Sequence, residues 1–113
     1  MANFMYIFWN PSGKTLKWPA KVMRERMQVW KEWTDSLAEG GRLLGGASLL
    51  PAGKVVRGPK KTVTDGPYAE GGDTIAGYMI ISARNLSEAV KLSKDCPVLY
   101  GDWMVEIRPI RAK

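Results

Sequence analysis

Apolar and polar positions alternate from the start of the chain, where Phe4, Tyr6 and Phe8 are interleaved with Met5 and Ile7 and no charge falls between Asn3 and Trp9. A run of bulky residues at period two predicts a largely buried strand over Asn3 to Trp9. Asn10-Pro11-Ser12-Gly13 breaks it. The period then changes. Met23, Met27, Trp30, Trp33 and Leu37 are spaced four, three, three and four apart, which sets all five on one face of a helix. Pro19 suits a first helical turn, where its missing N–H is no loss. Gly40-Gly41 supplies the stop. The Met and Trp stripe reads as core packing against a sheet, the pattern any amphipathic helix needs.

Arg42 to Leu50 reads as a second strand, in which Gly45-Gly46 marks a bulge or a close backbone approach. Pro51-Ala52-Gly53 turns the chain. Lys54 to Thr64 is polar and β-branched, is interrupted by Gly58-Pro59, and reads as an exposed or kinked strand or a hairpin arm. Gly71-Gly72-Asp73 reads as a flexible loop, and Thr74 to Ser82 as a strong strand. A second helix begins at Asn85, with Glu88 at the capping-box spacing. Leu86, Ala89, Val90 and Ser93 form its inner face, and Pro97 ends it. A last strand covers Trp103 to Ile110.

This order predicts one α+β domain over residues 1–113: an antiparallel sheet with two helices on one face, for which the split βαβ or ferredoxin-like arrangement is the natural solution. A half-covered sheet on so short a chain leaves an apolar face in need of a partner, so a homodimer is expected. Phe4, Tyr6, Phe8, Tyr78 and Ile80 are expected to supply one of the two sheet faces.

Composition narrows the function. The chain has 113 residues, 45% hydrophobic and 25% charged, as in an ordinary soluble globule. No apolar run approaches the roughly 20 residues that span a bilayer. The first residues lack the basic region of a signal peptide, so no membrane partner and a cytoplasmic location are expected. Cys96 is the single cysteine, which rules out an intrachain disulfide. The net charge of +6 sits in the first half: through Lys60 ten Lys and Arg oppose four Asp and Glu, and afterwards seven oppose seven. These cations are spread over a strand end, a helix and a loop. They read as a solvated basic face, and nucleic acid ranks third among partners, behind a small molecule or a protein.

The chain contains no histidine, which excludes a Ser-His-Asp triad, a Cys-His pair and any His-ligated metal. No metal or cofactor is expected. Cys96 reads as buried helix-end packing. Gly13-Lys14-Thr15 fails as a phosphate loop, because the glycine required five residues before the Gly-Lys pair is Phe8.

The remaining chemistry lies around Val63-Thr64-Asp65-Gly66-Pro67-Tyr68-Ala69-Glu70. Asp-Gly-Pro is turn chemistry. Asp65, Glu70 and Asp73 fall within nine residues, Tyr68 and Tyr78 offer phenols, and Arg108 or Arg57 a cation. Two carboxylates near a phenol suit general acid–base work once burial raises one of them toward neutrality. With Lys54-Val55-Val56-Arg57, Gly77-Tyr78-Met79-Ile80-Ile81, Glu88-Ala89-Val90, Cys96-Pro97 and Val105-Glu106-Ile107-Arg108-Pro109-Ile110, this motif makes the chain resemble the YCII-related family. The resemblance is to its DGPF branch, whose fourth motif position is Phe or Tyr. It implies a ferredoxin-like domain dimerising through its sheets, as in dimeric α+β barrels. It also implies a His-Asp pair in a cleft near the dimer interface, with dehalogenation-type or elimination chemistry in some members.

Asp65 matches the motif acid. The histidine has no counterpart here, and the Glu-Thr-Lys-Glu that usually follows the motif is replaced by Glu70-Gly71-Gly72-Asp73. The resulting expectation is a ligand pocket centred on Asp65, with cofactor-independent proton abstraction or elimination on a small aromatic or anionic molecule. Asp65 is the expected base, Tyr68 or Tyr78 the hydrogen-bond donor and Arg108 the charge stabiliser. Glu70, Tyr78 and Arg57 are expected to touch the ligand. The alternative is a non-enzymatic dimeric module that binds a metabolite or a protein, and the missing histidine is its support.

Overall fold

A computed structural model of the chain describes residues 1–11 and 18–112. The Ser12-Gly13 part of the expected break and the Gly13-Lys14-Thr15 segment lie outside them. The elements are β1 (Ala2–Asn10), α1 (Ala20–Glu39), β2 (Leu43–Ser48), β3 (Gly53–Arg57), β4 (Thr62–Gly66), β5 (Ala69–Glu70), β6 (Asp73–Ala83) and α2 (Leu86–Ser93), then a 3-10 turn at Pro97–Tyr100 and β7 (Met104–Pro109). The sheet runs β2-β6-β1-β7, antiparallel throughout, with β5 added to β6. With β3, β4 and β5 set aside, the order is β-α-β-β-α-β, the ferredoxin-like α+β architecture.

Alternation along β1 buries Phe4, Tyr6 and Phe8 beside Met79, Ile81 and Ala83 of β6, and Trp33, Leu37, Ala89 and Cys96 close the core from the helical side. Tyr6 and Trp33 stack with ring centroids 6.2 Å apart, and Trp30 meets Phe8 edge-on at 5.5 Å. Buried aromatics with a polar end need a partner for it. The Tyr6 hydroxyl donates to the Ala89 carbonyl at 2.5 Å, and the Trp33 indole N–H to the Leu92 carbonyl at 3.3 Å. One strand and one helix are thus both tied to α2. Burial pushes the Tyr6 phenol well above its ordinary range and the Cys96 thiol up to about 11.

α2 is capped as its sequence predicts. Asn85 Oδ1 accepts the Glu88 N–H at 2.9 Å, and Glu88 reaches back to the Arg84 N–H at 3.0 Å, one residue before the usual capping-box partner. Glu88 also pairs with Arg42 and, at 2.8 Å, with Arg84. The Arg42 hydrogen bond, then the Arg84 N–H, hold its carboxyl down to about 2.

Gly45-Gly46 fulfils both expectations. The β2–β6 register shifts between Leu43 and Gly45, and a Cβ on Gly46 would meet the Tyr78 carbonyl oxygen at 2.6 Å. Only a residue without a side chain lets the two strands approach so closely.

Several expectations are corrected. Met23 and Met27 are exposed, while half-buried Val22 and Val29 line a groove shared with Pro97 and Tyr100. Leu86 is exposed while Ala89 and Ser93 are buried. α2 stops at Ser93, and Pro97 opens the 3-10 turn rather than ending the helix. Gly71-Gly72 is a tight two-residue turn joining β5 to β6, not a loose loop. Finally, Phe4, Tyr6 and Phe8 do not share a face with Tyr78 and Ile80. Tyr78 lies opposite Ile7 and Ile80 opposite Met5, so both belong to the side away from the helices.

Lys54 to Thr64 resolves the choice left open by its sequence. β3 and β4 form a separate two-stranded sheet, a hairpin arm that packs little on any other element. The radius of gyration is 15.7 Å, against about 13 Å for a compact domain of this length. The principal extents are 45 × 44 × 20 Å, so the arm adds breadth and not thickness.

Candidate functional site

The residues out of phase with the core make the second sheet face. In register they are Tyr78–Ile7–Glu106 and Ile80–Met5–Arg108 across β6, β1 and β7, followed by Trp9 opposite Met104. α1 and α2 both lie on the other side. At one end of this open face is a cleft of about 380 Å³ lined by Trp9, Glu70, Asp73, Met104 and Glu106.

Local sequence explains each wall. Gly71 and Gly72 take φ of 60° and 93°, which a two-residue hairpin turn requires and which glycine adopts freely. The turn sets Glu70 and Asp73 opposite each other in the β5–β6 register. Trp9 and Met104 are direct partners, the last pair of the β1–β7 register. The Trp9 indole N–H donates to Glu106 Oε1 at 2.9 Å, and Arg108 Nη1 stands 3.5 Å from Glu106 Oε2. Both carboxylate oxygens of Glu106 are therefore engaged.

An indole and a thioether offer a flat, polarisable surface for a ring. Three carboxylates line it, Glu106 already approached by Arg108, and give it an acidic rim on a basic protein. That rim favours cations and hydrogen-bond donors and works against anions. A carboxylate within reach of a bound C–H or O–H has the chemistry of a general base. Among the described residues no group of His, Cys, Asp and Glu has the arrangement of a metal site, and no helix is long and apolar enough to cross a membrane.

The expected site residues fall into two groups. Glu70 lines the cleft, and Tyr78 and Arg108 lie on the same open face. Asp65, Arg57 and Tyr68 belong to the arm and its base. Asp65 is not a turn residue: it sits in β4 opposite Lys54, ion-paired with it, its side chain 88% exposed. The chain turns one residue later, where the Gly66–Pro67 peptide is cis. The Arg57 guanidinium carbon lies 5.6 Å from the centre of the Tyr68 ring. Trp9, Met104 and Glu106 were not among the expected site residues. Their signal is phase: each stands one step from an inward-facing residue, Phe8, Val105 or Ile107, in the first and last strands.

The family model for the YCII-related domain matches residues 5–112. Among solved structures, the 5-chloro-2-hydroxyhydroquinone dehydrochlorinase of Burkholderia phenoliruptrix, in complex with 2,5-dihydroxybenzoquinone, is similar at 12% identity. The match covers 96% of this chain and 93% of that one, with a TM-score of 0.43. No curated protein matches.

Proposed function

The chain belongs to the YCII-related family, and from that premise we propose that it is a homodimeric small-molecule-binding protein whose ligand occupies the cleft at the end of the open sheet face. The observation that carries this reading is the pairing of Trp9 and Met104 with three carboxylates in one concavity. The ring of a small aromatic ligand lies on Trp9, and its polar hydrogens meet the acidic side of the cleft at Glu70 and Asp73. The field of those carboxylates turns the preference toward neutral or cationic molecules and away from the anionic class. The open face, with Met5, Ile7 and Ile80 half-buried on it, is the dimer surface.

Turnover by cofactor-independent proton abstraction or elimination, with Asp65 as base and Tyr68 as donor, needs a second subunit to take Asp65 out of bulk water. The exposure of Asp65 and the lack of histidine favour a second reading, in which the dimer binds without turning over.

Calorimetric titration with small phenols, benzylamines and benzoates tests the site. Phenols or benzylamines bind and benzoates do not, and Trp9→Ala weakens binding about tenfold or more, or roughly 1.4 kcal/mol. Equal affinity of the parent protein and Trp9→Ala for every probe rejects the cleft. Asp65→Asn, assayed for halide or proton release from the ligand that binds, separates catalysis from binding.

A further inference from the structure

We infer that the β3–β4 arm of one subunit lies across the acidic cleft of a second copy of the chain, each subunit giving an arm and receiving one. The inference rests on the homodimer proposed above and adds what the arm does in it.

The arm is unfinished alone. An isolated two-stranded hairpin is marginal in water, and this one packs little against its own subunit. Val56 and Val63 are direct cross-strand partners, 63% and 60% exposed, so the arm presents an apolar surface with nothing on it. The arm is also charged with one sign. It carries Lys54, Arg57, Lys60 and Lys61 against Asp65, and that acid is already paired with Lys54. The cleft carries the opposite sign in Glu70 and Asp73, beside Glu106, which Arg108 already approaches.

The arm and cleft of one subunit do not satisfy each other. Glu70 lies four residues past Gly66 at the base of the arm, while a five-residue strand carries the tip about 15 Å outward. Lys60 and Lys61 are at that tip, away from the cleft beside the base. The 20 Å thickness of the molecule is that of one sheet with one layer of helices. The arm therefore extends the breadth of the molecule and leaves the open face clear for a second copy. Twofold symmetry makes the contact reciprocal and closed. Each cleft is then roofed by the Val56–Val63 face of the other subunit's arm, which also carries Lys54 and Asp65, and neither subunit completes the site alone.

Reversed charges test the arrangement. One variant carries Lys60→Glu and Lys61→Glu, the other Glu70→Lys and Asp73→Lys, with Glu70→Lys alone as a substitute should the double change lower the thermal midpoint. Each is examined by sedimentation equilibrium alone and as an equimolar mixture. Each variant alone opposes like charges at both contacts, so its dimer dissociation constant rises about tenfold or more, while the mixture pairs opposite charges at both contacts and dimerises near the parent strength.

If every variant dimerises as the parent does, the arm-to-cleft contact is wrong and the face-to-face dimer stands. A parent protein that stays monomeric rejects both. Failure of the mixture to recover overturns the inference, as does an unchanged dimer in which Lys60→Glu with Lys61→Glu only abolishes binding to nucleic acid.

Discussion

Trp9 and Glu106 stand 97 residues apart in the chain and meet through a 2.9 Å hydrogen bond on the open sheet face. The contact is diagonal: Trp9 pairs with Met104, while Glu106 pairs with Ile7. It joins the strand that organises the core to the edge strand β7 and fixes the carboxylate that Arg108 also approaches. The cleft is therefore held by the same register that holds the fold.

Replacing Trp9 by Phe keeps a ring in the cleft and removes the N–H. The loss is expected to be about 1 kcal/mol, the worth of one partly buried hydrogen bond. Urea denaturation reads it, and a companion Glu106→Gln, which keeps an acceptor, is expected to lose less.

Tyr6→Phe is expected to be at least as costly as Trp9→Phe. The hydroxyl is fully buried and bonded to the Ala89 carbonyl, so its removal leaves a buried acceptor short of a partner, at about 1–2 kcal/mol. The fold persists, since the ring and its stacking on Trp33 remain. Thermal and urea midpoints measure the drop.

Glu88 gives the acid limb of the stability profile a definite shape. Its carboxyl is held at about 2 in the folded chain by Arg42 and then the Arg84 N–H, against an ordinary value of 4.5. The unfolded chain therefore takes up the proton first as pH falls, and the stabilisation is present above about 4.5 and lost progressively toward 2. Glu88→Gln is expected to flatten this limb. Denaturation midpoints of both proteins between neutrality and pH 2 show whether the curves converge.

Asp65→Asn is expected to change stability by less than about 0.5 kcal/mol, because an exposed ion pair such as Lys54–Asp65 contributes little. A larger loss in thermal denaturation shows that the carboxylate serves the arm itself. Unchanged stability with lost binding or turnover places it in the site.

What the sequence discloses here is what neighbours in the chain decide. The period-two run of β1, the Asn85–Glu88 cap and the Gly45-Gly46 approach are local patterns, and each has its structural counterpart. The stripe at Met23 and Met27 misled because Val22 and Val29 lie close by on the same helix, and it is this side that shares a groove with Pro97 and Tyr100. Such a neighbour has no imprint on the helix sequence. The site divides the same way. Glu70 and Asp73 were visible as acids around a turn, whereas Trp9, Met104 and Glu106 come together only when the first strand pairs with the last. Asp65 read as a turn residue because Asp-Gly-Pro has turn chemistry, yet the strand continues through it while Lys54 supplies a partner opposite.

The two margins of the sheet carry a further consequence. β7 ends at Pro109, which has no N–H to offer, and carries the charges of Glu106 and Arg108; the opposite margin, β2, is distorted by its register shift and thinned by two glycines. Neither margin is a straight apolar template, so recruitment of further chains into a continuous ribbon, the first step toward a fibril, is disfavoured at both ends. A protein built this way carries its apolar surface on a face of the main sheet and not along its edges, so strand-by-strand growth finds no template there.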